Sequence, residues 1–508
     1  MSSLTISEMF AIAAQRLPDK SAIHASGATT SYEALATWVR TGAQSIREEF
    51  GLGSGDRVLV MASNSAAFLT SVLACAAAGA VVVPVSTQLT PRELAYIIGD
   101  CSPRLVLHGA EYEQTVLDAL GQARPVDTPP VREITEFATD NRRAHLTGAV
   151  WDAPSPDDLI YLGYTSGTTG APKGVKVSHR NRVQSILLQA SEFQLGRRDT
   201  HLAVSPLYHT APLTFALLHL CLGGAVVVSP AFDAAQVATE LCSNRVTNTF
   251  LAPSALQRVL TALPPGHEPS VGLHAVIIGG APCPAQVKSE ALRRLPDRLW
   301  EFYGATEVGI VTTLRPREQT DRPRSAGRLL PGAHIEVRDL ETGEPVTSGQ
   351  VGKVWITTAT TSEGYLGVEA DPNADPMRFI GDVGFVDDRG FLHLVDRSAD
   401  IIITGGVNVY SREVEAVIER HPRVVDVAVF GVPDETWGEA VVAAVAVSAP
   451  LDAGDLVEFC RESLAGFKRP RSIVFVPALP RSQTGKTDKR RLREQFLTSQ
   501  GSTTQPIA

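Results

Sequence analysis

Tyr164-Thr165-Ser166-Gly167-Thr168-Thr169-Gly170-Ala171-Pro172-Lys173-Gly174-Val175 packs hydroxyls, glycines and one lysine into a single short stretch. Gly167, Gly170 and Gly174 let the backbone take positive φ and approach a ligand closely, so that successive N–H groups converge on anionic oxygens as a nest. Ser166, Thr168 and Thr169 add side-chain donors, and Lys173 places a mobile cation where a triphosphate tail would lie. A plain Gly/Thr surface loop would show the same composition. Here, however, an apolar strand over 159–162 precedes the loop and a helix over 178–192 follows it, which is the setting of a phosphate loop in an α/β sheet. No Gly-Lys-Ser/Thr closes it, and the lysine lies past Gly170 with a proline between, so it is not a Walker A loop.

Working outward, helix-length segments alternate with short Val/Ile/Leu-rich strands from residue 31 to about 302. Strands are expected over 57–61, 81–84, 225–229 and 247–251, with helices over 65–77 and 234–242. That alternation predicts parallel sheets flanked by helices. From about 325 short strands separated by turn residues take over (334–338, 352–357, 391–395), a β-rich subdomain. After Arg397 a separate α+β pattern begins: helices over 411–420 and 455–464, strands over 424–432, 440–448 and 472–476. The fold class read from this is α/β with α+β. An N-terminal domain over 1–397 contains the β-rich subdomain (325–397), a small mobile C-terminal α+β lid covers 398–498, and 499–508 form a polar, disordered tail.

The full chain of 508 residues is longer than one core organises. Its net charge of −9 argues against a nucleic-acid partner, whose phosphates it would repel. The longest apolar run, 72–85, is interrupted by Gly79 and Pro84 and is too short to span a bilayer, so it reads as a buried helix end followed by a core strand. The N-terminus has no basic segment ahead of its apolar residues and carries Glu8 among them, which speaks against a signal peptide and for a cytoplasmic protein. Six cysteines without paired spacing suit a reducing compartment and no metal cluster. A homodimer is left open.

Further motifs follow in order: Tyr208-His209-Thr210, Gly279-Gly280-Ala281-Pro282, Tyr303-Gly304-Ala305-Thr306-Glu307, Gly381-Asp382, Asp396-Arg397 and Ser482-Gln483-Thr484-Gly485-Lys486. With the loop from Thr165 to Lys173 they resemble the adenylate-forming superfamily over residues 30–493. That family holds acyl-CoA synthetases, luciferases and peptide-synthetase adenylation domains, and the pattern is nearest to bacterial acyl- or aryl-CoA ligases. The resemblance implies that Tyr303 stacks on adenine, Thr306 donates to the α-phosphate of ATP, and Glu307 holds Mg²⁺. A carboxylate beside a triphosphate would repel it unless a cation intervened, which points the same way. It further implies that Gly280, Ala281 and Gly304 let backbone face the nucleotide, that Asp382 holds the ribose with Arg397 as partner, and that His209 walls the substrate carboxylate. Lys486 is the implied adenylation lysine. Trp437, Phe467 and Arg469 resemble a CoA-nucleotide site, past which Gly405 and Gly406 would let the pantetheine arm run.

The implied activity is ATP-dependent activation of a carboxylic acid, with release of pyrophosphate and transfer to CoA. The open alternative is transfer to a carrier-protein thiol, an amine or another nucleophile; a nucleotide-binding protein without catalysis is a third reading. No acid follows His209 as it does in domains that hold an α-amino group, so an α-amino acid substrate is not expected. Small residues (Thr210, Ala211, Gly279, Gly304, Gly309) with Phe250, Ile310 and Val311 suggest an apolar acyl pocket. Three positions depart from the family pattern: Ile380 stands before Gly381-Asp382, Thr487 follows Lys486, and Ala399 occupies the hinge, where Asp or Lys is usual.

Overall fold

The computed structural model describes residues 4–139, 154–166, 172–264, 266, 269–369, 371, 373–461, 463–481 and 487–500. The chain forms two compact units, Met1–His334 with Ile356–Arg378, and Ile335–Trp355 with Phe379–Ala508. Among the described residues no helix is long and apolar enough to cross a membrane.

The first unit contains strands β1 (Ser21–Ala25), β2 (Ala28–Ser31), β3 (Arg57–Met61), β4 (Val81–Pro84), β5 (Leu105–His108), β6 (Val131–Glu133), β7 (Leu159–Ser166) and β8 (Pro172–Ser178). It continues with β9 (Thr200–Ala203), β10 (Ala225–Val228), β11 (Asn248–Leu251), β12 (Ala275–Ile278), β13 (Leu299–Ala305), β14 (Gly309–Leu314) and β15 (Gly327–Leu329). One sheet runs β6-β5-β3-β4-β7-β8, the other β15-β14-β13-β12-β11-β9-β10-β1-β2. Pairing is parallel along β6-β5-β3-β4-β7 and along β13-β12-β11-β9-β10-β1, as alternating helices and strands require. It turns antiparallel at β7–β8 and at β13–β14, the two hairpins that carry the loop of Thr165 and the turn of Glu307.

Local sequence explains the elements. The helix Ala66–Ala78 is capped by Ser65, whose side chain accepts from the Phe68 N–H at 3.1 Å, and ends at Gly79 in the left-handed region (φ +78°). The helix is buried from Phe68 to Ala78, and β4 follows with all four residues buried. The apolar run 72–85 is thus a helix end and a core strand. Phe193, Phe215, Phe250, Phe302 and Trp300 form one aromatic cluster, with ring centroids 5.5–6.5 Å apart.

Beside that cluster runs a buried polar chain. His201 on β9 and Asn248 on β11 are register partners, joined Nδ1 to Oδ1 at 2.7 Å. Asn248 Nδ2 meets His219 Nε2 at 3.0 Å, and His219 Nδ1 reaches the Phe215 carbonyl at 2.7 Å. Burial depresses the His201 imidazole to about 3, with neighbouring His219 adding to it, and burial depresses His219 to about 4.

The second unit holds most of the expected short strands β16 (His334–Arg338) and β17 (Gly352–Thr357), and most of the hairpin of β18 (Arg378–Val386) with β19 (Phe391–Arg397). A further sheet follows the order β21 (Val407–Val409), β20 (Ile402–Thr404), β23 (Gly438–Val447), β22 (Val424–Asp434), with β24 (Ser472–Phe475) added parallel to β23. The helices Ser411–Ile418 and Ala453–Arg461 bury Val414, Val417, Ile418, Leu456 and Cys460 in one cluster with Val427, Val429, Val441 and Val445. The expected elements occur with ends shifted by a residue or a few, the usual behaviour of frayed termini.

Candidate active site

The first hairpin departs from the expected strand–loop–helix. Val175 and Val177 are buried, and the outer edge of their segment pairs with 364–366: the Lys176 N–H donates to the Gly364 carbonyl (2.8 Å) and the Leu366 N–H to the Gly174 carbonyl (2.7 Å). A strand, β8, therefore intervenes before the helix His179–Phe193. The register sets Thr165 opposite Lys173 and Tyr164 opposite Gly174. Lys173 thus sits on a strand rather than in the turn. Gly174 is not among the glycines with positive φ; it is buried, and a Cβ there would come within 3.2 Å of the Tyr164 ring, so it serves packing instead. Gly167, Thr168, Thr169 and Gly170 lie outside the described residues, as does Lys486, and of Ser166 only the backbone is described.

The second hairpin meets the first. β13 does not stop near Phe302 but continues through Tyr303 and Gly304 to Ala305, so Thr306 and Glu307 stand on the turn before β14. Glu307 Oε1 accepts from the Thr165 hydroxyl (3.3 Å) and the Tyr365 phenol (3.2 Å). Its Oε2 has no donor among the described residues. Burial, with the adjoining Glu307 carboxylate, pushes the Tyr365 phenol up to about 12, which keeps it a donor at neutral pH. Lys173 Nζ lies 5.4 Å from the centroid of the Tyr365 ring. Thr306 Oγ1 lies 3.2 Å from Thr210 Oγ1. Thr210 opens the helix Thr210–Leu222, and His209 is its N-cap residue, the ring centroid 4.6 Å from that of Tyr208.

The small residues expected to open a pocket have other work. A Cβ on Gly279 would sit 2.7 Å from the Phe302 ring, and one on Gly304 would sit 2.2 Å from the Gly309 carbonyl oxygen. These glycines admit a ring and a neighbouring strand, so space alongside them is filled. Gly280 follows β12 with φ +81°, and Ala281 comes next.

In the second unit, Asp382 and Arg397 face each other across the β18–β19 hairpin, with Arg397 Nη1 3.0 Å from Asp382 Oδ1. Asp382 is buried, and Gly381 takes φ +94° where a Cβ would press on the Arg397 guanidinium. Gly405 and Gly406 form the turn between β20 and β21, both with positive φ (+59° and +76°). Trp437, 41 % exposed, lies against that turn: the Gly405 N–H donates to its carbonyl at 2.8 Å, and a Cβ on Gly405 would meet its ring at 3.0 Å. The guanidinium stacked over Trp437 belongs to Arg471, at 4.5 Å, not to Arg469, whose Nε donates to the Leu464 carbonyl at 3.0 Å. Phe467 is 40 % exposed.

Sequence reasoning did not find Tyr365, Tyr161, Arg182 or Gly163. Tyr365 and Arg182 carry no local signal. Gly163 does: a glycine inside an apolar strand marks close approach of another group, here the ring of Tyr161 and the methyl of Thr306.

Comparison with known proteins agrees with this geometry. Residues 10–366 match the family model described as AMP-binding enzyme, and residues 413–486 match that of the AMP-binding enzyme C-terminal domain. The chain is 32% identical to a 2-succinylbenzoate–CoA ligase of Bacillus licheniformis, over 88% of this chain and 91% of the relative. It is 34% identical to a feruloyl-CoA synthase of an Amycolatopsis species, over 95% and 97%. Among solved structures, the ATP-bound MatB of Rhodopseudomonas palustris superposes with a TM-score of 0.87 at 29% identity, covering 97% of this chain and 99% of that one.

Proposed function

The chain belongs to the AMP-binding enzyme family, and we propose that it joins a carboxylic acid to AMP and then to CoA. A carboxylate oxygen attacks the α-phosphorus of ATP, the bond to the bridging oxygen breaks, and pyrophosphate leaves. The CoA sulfur then attacks the acyl carbon of the adenylate, its thiol proton is lost, and AMP leaves. The observation that carries this reading is the meeting of the two hairpins, which gathers Thr165, Lys173, Thr306, Glu307 and Tyr365 at one place.

A carboxylate needs no base to act as nucleophile, so the protein's part is orientation and charge. Orientation of two bound reactants supplies up to roughly 7–11 kcal/mol of the barrier. Lys173 and the loop 166–170 take the departing pyrophosphate, and Thr306 with Lys486 takes charge developing at the α-phosphorus. Glu307 offers one oxygen already satisfied by two hydroxyls and one without a donor among the described residues. That donor set fits Mg²⁺ arriving with a triphosphate, since the ion keeps waters and needs only one or two protein carboxylates. When bound, the ion supplies positive charge to the phosphate oxygens.

Tyr303 with Gly280, Ala281 and Gly304 borders the adenine, Asp382 and Arg397 hold the ribose, and His209 walls the reacting carboxylate. Trp437, with Phe467, Arg469 and the Gly405–Gly406 turn, receives CoA. The C-terminal segment from 398 acts as a lid turning about Ala399, where alanine restricts φ and ψ only mildly. Aryl acids are the first substrate class to try, since the two relatives named above are named for aromatic acids.

Pyrophosphate release over a panel of benzoate, cinnamate, hexanoate and malonate, with and without CoA, tests the proposal. CoA-dependent formation of AMP and acyl-CoA is the expected result. Release of AMP that needs an amine or carrier thiol instead would move the acceptor, and no acid-dependent release over a wide acid set would remove the activity.

A further inference from the structure

Beneath Thr306 lies a line of hydroxyls that ends on a buried cation. Thr306 Oγ1 is 3.2 Å from Thr210 Oγ1, which is 3.1 Å from the Tyr161 phenol oxygen. The Arg182 guanidinium lies 5.3 Å from the centroid of the Tyr161 ring. It also donates from Nη1 to the Thr214 hydroxyl, and that hydroxyl donates to the Thr210 carbonyl at 2.7 Å. Arg182 is 3 % exposed, and its Nη2 has no hydrogen-bond partner among the described residues. Glu363, whose carboxylate accepts from the Ser178 N–H, is the acid whose charge acts on it.

Such burial is costly, because a guanidinium has five N–H donors to satisfy and loses its water. Its approach to the Tyr161 ring is the contact through which its charge acts on the line of hydroxyls. Gly163 leaves room for that ring, since a Cβ there would lie 2.5 Å from Tyr161.

The proton directions along the line follow from counting. Each hydroxyl donates once. Tyr161 can donate to Thr210 at 3.1 Å or, at the 3.5 Å limit, to the Tyr208 carbonyl, so it donates to Thr210. Thr210 then donates to Thr306, and the Thr306 hydrogen is left to point onward. Bonds in such a series polarise one another in the same sense. Burial raises the Tyr161 phenol, which keeps its proton on at neutral pH.

We propose that Arg182, Tyr161 and Thr210 are positioning residues for adenylation, a cation and two hydroxyls in series that turn the Thr306 hydrogen toward the α-phosphate. This rests on the reading above that Thr306 contacts that phosphate.

The test is ATP–pyrophosphate exchange by the full chain with the panel acid that exchanges fastest. Tyr161→Phe and Thr210→Val each lower kcat about tenfold, with KM for ATP and acid within threefold of the parent. In a Thr306→Val background neither substitution costs anything further, because the line then has no end group to orient. Arg182→Lys keeps most of the rate and Arg182→Met loses about tenfold. Equal losses in Arg182→Lys and Arg182→Met, or losses that simply multiply with that of Thr306→Val, overturn the relay while leaving the Thr306 assignment standing. Full exchange in Thr306→Val overturns both. Should Arg182→Met fail to fold, Tyr161→Phe removes one oxygen only and decides the matter with the double variants.

Discussion

Replacing Gly304 with alanine probes the turn that carries Thr306 and Glu307 without touching either. The added Cβ would lie 2.2 Å from the Gly309 carbonyl oxygen, 2.9 Å from Ile310 Cα and 3.0 Å from the Gly309 carbonyl carbon. Carbon–oxygen contacts settle near 3.3 Å or beyond, so β14 must retreat by about 1 Å. All three neighbours are backbone, and β13 and β14 are paired on either side of the turn, so no side-chain rotation relieves the contact. A misplacement of about 1 Å at an active site lowers the rate on the order of a hundredfold. That corresponds to about 2.7 kcal/mol at 1.36 kcal/mol per factor of ten. Overpacking adds about 1–3 kcal/mol of lost stability. The measurement is acid-dependent ATP–pyrophosphate exchange at saturating ATP, beside urea unfolding followed by circular dichroism. A folded Gly304→Ala protein that exchanges within twofold of the parent would refute the reasoning, since it would show that the turn tolerates the displacement or that its geometry does not matter to the chemistry.

Lys486→Ala is expected to abolish adenylate formation while sparing thioester formation from a supplied acyl-adenylate; loss of both half-reactions would remove Lys486 from its assigned role. Trp437→Ala should raise KM for CoA about tenfold, the scale of losing one base–aromatic stack, and leave pyrophosphate exchange unchanged; an equal drop in exchange would show that the indole only packs its unit. Stability should fall between pH 7 and 5 through His201 and His219. In the unfolded chain they take protons near 6.5, whereas the folded protein resists protonation until about 3 and about 4. Their contribution is therefore complete above about pH 6.5 and is lost as pH falls toward 3. At pH 5 the unfolded state lies about 1.5 units below its pKa, or roughly 2 kcal/mol per histidine. An identical fall in urea midpoint in a His201→Gln, His219→Gln protein would contradict this.

Much of the architecture could be read from apolar runs bounded by turn residues: β3, β4 and the helix Ala234–Cys242 have the expected limits. β8 was hidden because Pro172, Lys173 and Gly174 read as loop chemistry, and only pairing with β7 and with 364–366 makes them a strand. Motif order gave the candidate residues, but their meeting depends on contacts between distant parts of the chain. Tyr365 reaches Glu307, and Thr210 reaches Thr306, across separations that no local pattern encodes. Glycines misled for a related reason. Gly174, Gly279 and Gly304 are small so that Tyr164, Phe302 and β14 can come close, a requirement set by the neighbour rather than by φ.

The chain of His201, Asn248 and His219 has a bearing on how the protein folds. β9, β10 and β11 are four-residue strands, and the Ala-Val-Val-Val of β10 would pair almost as well one residue out of step. Sliding β9 against β11 by one residue would turn the His201 imidazole to the other face of the sheet and leave Asn248 Oδ1 unanswered in an apolar interior. The buried amide and imidazoles therefore act as a check on alignment: they add little to the attraction between strands and much to the penalty of every wrong pairing.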